Sequence, residues 1–128
     1  MERLAFKKPR QHFDTATHPS RVTFDDGKTE RSFPWISCGE ATRESAEPNV
    51  IRFDVGEWIV LLRGYNLGPL FVAIEEQTLL RVRAHPELAQ NGERDTDCFV
   101  TDIRFTRALT LGMPTKRKNS PQLELGLG

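Results

Sequence analysis

The chain has 128 residues, a length typical of one domain, and balances 18 Lys and Arg against 18 Asp and Glu. Net charge therefore argues neither for nor against a nucleic-acid partner, whereas only two cysteines, Cys38 and Cys98, exclude a disulfide framework. No apolar run has the length of a signal peptide or a membrane span, so we expect a cytoplasmic protein without a membrane partner.

The first third of the chain predicts an arm followed by a hairpin. Residues 1–20 mix charges, histidines and prolines with little periodicity, which indicates a mobile N-terminal arm. Residues 21–24 alternate as a strand does, and Asp26-Gly27 predicts a two-residue turn into a return strand over about 29–38. Pro34 within the return strand predicts a sheet edge or a bulge.

Residues 50–82 form the unit onto which we expect the rest to pack. Apolar residues alternate over 51–55, and Gly56 suits the first position of a type II′ turn. The unbroken apolar run 58–62 predicts a strand covered on both faces. Gly68 and Pro69 predict the N-cap and first residue of a helix, and residues 78–84 fit either helix or strand.

A last strand is predicted over 98–106, after which the pattern fades. The predicted organisation is a mobile arm (1–20), a single α+β domain (21–107) and a flexible basic linker with a tail motif (108–128). The fold class is α+β, with an antiparallel sheet of about five strands, one short helix and flexible termini. A helix of roughly nine residues, about 14 Å long, cannot cover both faces of that sheet. The sheet must curl, or a second copy must cover it, which predicts a homodimer as one of two solutions.

The last residues carry the clearest functional pattern. Gln122, Leu123, Leu125 and Leu127 form Q-L-x-L-x-L after a linker that contains Lys116, Arg117 and Lys118. Three leucines on a segment without a core to join are apolar surface suited to a partner.

This pattern resembles the sliding-clamp-binding motif of bacterial replication and repair proteins, above all the C-terminal tails of Y-family translesion polymerases. The resemblance implies that Gln122 makes polar contacts at the mouth of a hydrophobic groove on the clamp. It also implies that Leu123 supports the extended backbone while Leu125 and Leu127 fill apolar subsites. The chain departs from tails that end on leucine, because Gly128 follows Leu127.

Basic residues suggest a weaker, second kind of contact. Lys116, Arg117 and Lys118 in the linker can touch nucleic acid, since phosphate contacts are mainly electrostatic. Arg63, before the predicted helix, and Arg81 and Arg83, after it, are candidates to hold an anion. Solvated arms and an ordinary helix entry are the alternatives.

No catalytic or metal site is predicted, and no cofactor. The carboxylate pairs Asp25-Asp26, Glu75-Glu76 and Asp95-Asp97 have no apolar pocket beside them, and the histidines lack ligand spacing. A dyad in which His85 activates the Cys98 thiol as a nucleophile is conceivable. The sequence therefore predicts a non-enzymatic adaptor that its tail recruits to a sliding clamp, near DNA replication or repair. The alternative is a structural or homo-oligomerising domain whose tail packs on itself or on a partner chain.

Overall fold

The computed structural model describes residues 10–90 and 96–108, which build two four-stranded sheets and one α-helix. The eight strands are β1 (Phe13–Thr15), β2 (Arg21–Asp25), β3 (Glu30–Pro34), β4 (Cys38–Thr42), β5 (Val50–Val55), β6 (Trp58–Tyr65), β7 (Leu79–Arg83) and β8 (Phe99–Arg107). The helix is α1 (Gly68–Glu75), and 3-10 turns lie at Trp35–Ser37 and Pro86–Leu88.

The first sheet has the strand order β1-β7-β2-β3. The predicted hairpin β2–β3 is confirmed, although its loop has four residues (26–29), not two, because Asp25 pairs with Glu30. Pro34 lies on an edge strand, as predicted. Strand β7 runs parallel to β2 and antiparallel to β1, which lies inside the stretch assigned to the N-terminal arm.

The second sheet has the order β4-β5-β6-β8, with all neighbours antiparallel. The β5–β6 hairpin is confirmed, and Gly56 has a φ of 58°, as the first position of a type II′ turn requires. The prediction of one sheet of about five antiparallel strands was wrong. The turn Trp35–Ser37 moves the chain from the first sheet to the second, and β7 returns it to the first beside β2.

The two sheets pack face to face around one aromatic centre. The ring of Phe24 in the first sheet lies 6.1 Å from that of Phe53 and 6.5 Å from that of Phe105 in the second. Trp35, between the sheets, packs against Phe53 and donates its indole N–H to the Leu79 carbonyl at 3.1 Å. The first sheet thus gives the second the cover that the helix could not supply.

Strand β6 is apolar on both faces, as expected, but the faces are covered unequally. Val60 and Leu62 are fully buried between the sheets, whereas Ile59 is buried and Leu61 half-buried on the outer face. The homodimer was predicted because one helix could not cover both faces of the sheet. A second sheet already covers the inner face, so this reason no longer holds, and the homodimer stays a prediction.

Helix α1 begins one residue earlier than expected. Leu67, not Gly68, is the N-cap, and Pro69 occupies the first turn. Leu70, Ala73 and Ile74 are buried, while Val72 is 46% exposed. The helix ends before Gln77, whose φ is 57°, and the chain turns into β7, so residues 79–83 are a strand.

Candidate functional site

A groove lies between strand β1 and helix α1. Its volume is about 570 Å³. Strand β1 and the residues around it contribute one wall, and α1 with the start of β7 contributes the other; the lining residues are Gln11, Phe13, Thr15, Ala16, Thr17, Pro69, Val72, Ala73, Glu76 and Thr78. The groove is therefore elongated along a strand, with small and apolar side chains and few charges.

The groove exists because β1 is short and lies at the edge of its sheet. Strand β1 has three residues and pairs only with β7 within its sheet order. Its register on β7 shifts between Asp14 and Thr15, an irregularity of the kind common at sheet edges. On the other wall, Val72 is one of the few large apolar side chains that the described part of the chain leaves exposed.

Asp97 anchors β1 to the start of β8. Its Oδ1 accepts the backbone N–H of Arg10 at 2.8 Å, and its Oδ2 lies 3.4 Å from Nε2 of His12. The backbone N–H of His12 donates to the carbonyl of Cys98 at 2.9 Å. The Arg10 N–H and the His12 side chain hold the pKa of the Asp97 carboxyl below its usual range.

Two histidines meet beside this anchor. The rings of His12 and His85 lie edge to face with their centroids 5.6 Å apart, and His85 Nδ1 is 3.2 Å from the Glu87 carboxylate. Each imidazole thus has its own carboxylate. Among residues 10–90 and 96–108, no three His, Cys, Asp or Glu side chains are placed to hold a metal ion.

Burial works against Cys98 as the nucleophile of a dyad with His85. Cys98 is buried, and burial raises the pKa of its thiol to about 11, against a smaller opposing effect of the Leu70 backbone. A neutral thiol is a weak nucleophile. The polar neighbours of His85 are Glu87 and His12. Cys38 resembles Cys98, since burial raises its thiol pKa to about 11 as well.

The carboxylate pairs have local structural roles or lie in solvent. Asp26 accepts the backbone N–H groups of Lys28 and Thr29, each at 2.8 Å, and these bonds lower its pKa. Glu75 and Glu76 are exposed at the end of α1. Asp95 lies outside the described residues.

The structure separates the three arginines proposed to hold an anion. Arg63 is on β6 in the second sheet, paired across the strands with Val50 and Asp102. Arg81 and Arg83 are on β7 in the first sheet, where Arg81 forms an ion pair of 2.7 Å with Glu30. Arg63 therefore lies on a different sheet from Arg81 and Arg83, and all three side chains are exposed.

The residues of the tail pattern and the basic linker lie outside the described part of the chain. They are Lys116, Arg117, Lys118, Gln122, Leu123, Leu125 and Leu127. Their roles remain predictions.

Sequence reasoning missed the groove and the cation stack at the opposite end of the sheets. There, the Arg31 guanidinium lies 4.4 Å from the Trp58 ring centroid and 5.0 Å from that of Phe105. Arg31 lies two residues before Phe33 and therefore shares its side of the strand, so the sequence did carry a signal for its inward direction. The groove had none, because it depends on how a strand and a helix distant in sequence are placed.

No family model matches the chain, and no match was found among curated protein sequences or solved structures. In the part of the chain that the structure describes, no helix is long and apolar enough to cross a membrane.

Proposed function

We propose that this protein is a small adaptor without catalytic activity, which its C-terminal residues recruit to a bacterial sliding clamp near DNA replication or repair. The observation that carries the proposal is the pattern Gln122, Leu123, Leu125 and Leu127 at the end of the chain. Alternate leucines on an extended peptide enter successive pockets of a groove, while the residues between them remain in solvent.

The position of the pattern relative to the folded body supports recruitment. Strand β8 ends at Arg107, and Ala108 still donates its N–H to the Glu57 carbonyl at 2.7 Å. About a dozen residues then separate the body from Gln122. At about 3.3 Å per residue they can extend roughly 40 Å, so a bound tail leaves the body free of the clamp surface.

The basic linker adds a second, weaker contact in this proposal. Lys116, Arg117 and Lys118 come shortly before the leucines, and a clamp encircles DNA, so these cations would lie near phosphates when the tail is bound. Such a contact is independent of base sequence and weakens with salt.

Fluorescence anisotropy of a labelled peptide with the sequence 114–128, titrated with a bacterial sliding clamp, tests recruitment. We expect saturable binding that Leu125→Ala weakens about 10- to 150-fold, since burying a leucine contributes about 1.5–3 kcal/mol. Glu124→Ala is the matched control, because its side chain points away from those of the leucines and should leave affinity nearly unchanged. Absence of binding, or equal affinity of the two variants, would contradict the proposal.

A further inference from the structure

We infer that the groove between β1 and α1 is a docking site for the C-terminal tail of the same chain, which adds to the edge of β1 as an extended strand. The docked segment is residues 121–128, and its leucines Leu123, Leu125 and Leu127 enter the groove. The inference deepens the proposed function by naming a restraint on the tail, and the docking itself does not depend on the clamp.

The tail has the pattern that an added strand requires. Side chains of an extended segment alternate between two faces, so the three leucines share one face while Gln122 and Glu124 share the other. A strand that joins a sheet edge gains backbone hydrogen bonds, and pockets for its alternate side chains give selectivity. The tail can supply backbone hydrogen bonds to the edge of β1 and alternate apolar side chains to the groove beside it.

The groove matches that pattern in shape and chemistry. Phe13 and Val72 give it apolar surface on opposite walls, and the threonine and alanine side chains between them leave space. Its volume of about 570 Å³ accommodates several leucine side chains. Burial of Val72, now 46% exposed, adds to the gain from the leucines.

Other surfaces of the described residues fit the tail less well. The outer edge of the first sheet, β3, carries Glu30 and Arg31 and ends in Pro34, which are features that oppose pairing with another strand. A hollow on the outer face of the second sheet has about 200 Å³, and charged side chains of Glu44, Glu47 and Arg52 line it.

The linker is long enough to reach. The described chain leaves the body at Ala108, beside the β5–β6 turn. Strand β6 has eight residues and leads from that turn toward α1, a distance of about 26 Å at ~3.3 Å per residue. Residues 109–120 extend up to roughly 40 Å, so the tail can reach the groove without strain.

Charge complementarity strengthens the match. Glu75 and Glu76 are exposed at the end of α1, and Glu76 lines the groove. Lys116, Arg117 and Lys118 precede the leucines by a few residues, so they can approach this acidic end while the leucines fill the groove. Because docking is intramolecular, an effective concentration in the millimolar range makes even weak contacts sufficient.

Docking in the groove and binding to a clamp are mutually exclusive, because both use the same leucines. If the tail is docked for part of the time, only the free fraction can bind an external groove. The apparent affinity for that groove is then the intrinsic affinity multiplied by the free fraction. The body would then act as a restraint on its own recruitment element.

The test compares ¹H–¹⁵N spectra of the full chain with those of a full chain carrying Leu123→Ser, Leu125→Ser and Leu127→Ser. We expect the amide signals of Phe13, Thr15, Val72 and Glu76 to shift in the triple variant, and amide exchange in β1 to accelerate severalfold. Gln122→Ala with Glu124→Ala is the matched control and should change only signals of the tail.

Identical groove signals in the wild-type chain and the triple variant would overturn the inference, as would changes confined to the hollow around Thr42, Arg52 and Leu61. A reciprocal variant, Val72→Glu, should shift the methyl signals of the tail leucines, whereas Leu80→Glu, at a position of similar exposure outside the groove, should not. Since no clamp is present in these samples, a failure of docking is distinguishable from a failure of clamp recruitment.

Discussion

The contact between β6 and β8 and the opening between β1 and α1 are built in opposite ways. Strands β6 and β8 pair over their full lengths, and a Cβ built on Gly64 would clash with the Phe99 carbonyl oxygen. Strand β1 has three residues and leaves a groove of about 570 Å³ against α1.

The difference indicates where the molecule is stable and where it can bind. Close backbone packing at Gly64 leaves no room for adjustment, so this contact belongs to the fold. Strand β1 is held by its short ladder with β7 and by bonds through Asp97 and His12, and its neighbour α1 exposes Val72. Surfaces used for binding commonly come from such less stable regions.

The largest effect is expected from a substitution in the close contact between β6 and β8. Gly64→Ala forces the new Cβ against the Phe99 carbonyl and the Val100 Cα, both backbone atoms that cannot rotate away. We expect a loss of about 3 kcal/mol or more in the free energy of unfolding. Urea unfolding followed by tryptophan fluorescence measures it.

Gly39→Ala is the matched control for that variant. The nearest backbone atom to its new Cβ would be the Asp54 carbonyl oxygen at 3.4 Å, an ordinary contact. The change should stay within about 0.5 kcal/mol, as for most surface substitutions. Equal effects of the two variants would contradict the proposed tightness of the β6–β8 contact.

A smaller, pH-dependent effect concerns the anchor of β1. The folded-state pKa of Asp97 lies below its ordinary value of 3.8, so its carboxylate stabilises the fold above that value. This contribution is lost as pH falls through the folded-state pKa. The stability difference between wild type and Asp97→Asn should therefore be full at pH 6 and shrink below about pH 4.

Urea unfolding of both proteins across pH 3 to 6 measures that difference directly. Asp102→Asn removes a carboxylate that pairs with Arg104 on the same strand, β8, and serves as the control for general loss of charge. A difference between wild type and Asp97→Asn that grows on acidification would contradict the role assigned to Asp97.

Local signals in the sequence predicted the hairpins but not the number of sheets. Gly56, the alternation in β5 and Pro69 each act through the backbone of their own segment, and the corresponding elements form where expected. Strand β7 pairs with β1 and with β2, which are distant in sequence, and it supplies the sheet's one parallel pair. The hydrophobic periodicity of a strand does not indicate which distant strand it pairs with.

The candidate site could be predicted only in part, for the same reason. The tail pattern is a local property that the sequence displays in full. The groove requires Phe13 and Val72 to face each other across a gap, and neither residue alone differs from an ordinary half-buried apolar side chain. Asp97 and His12 likewise meet only because β1 joins the start of β8.

Recruitment by the tail and its restraint by the groove can be measured together. The measurement is the affinity of the full-length chain for an immobilised bacterial sliding clamp, for wild type, Val72→Glu and Leu80→Glu. We expect Val72→Glu to bind about fivefold more tightly than wild type, as for a tail that is docked about four-fifths of the time, and Leu80→Glu to bind as wild type does. Equal affinity of all three proteins would contradict the restraint, and no binding by any of them would contradict recruitment itself.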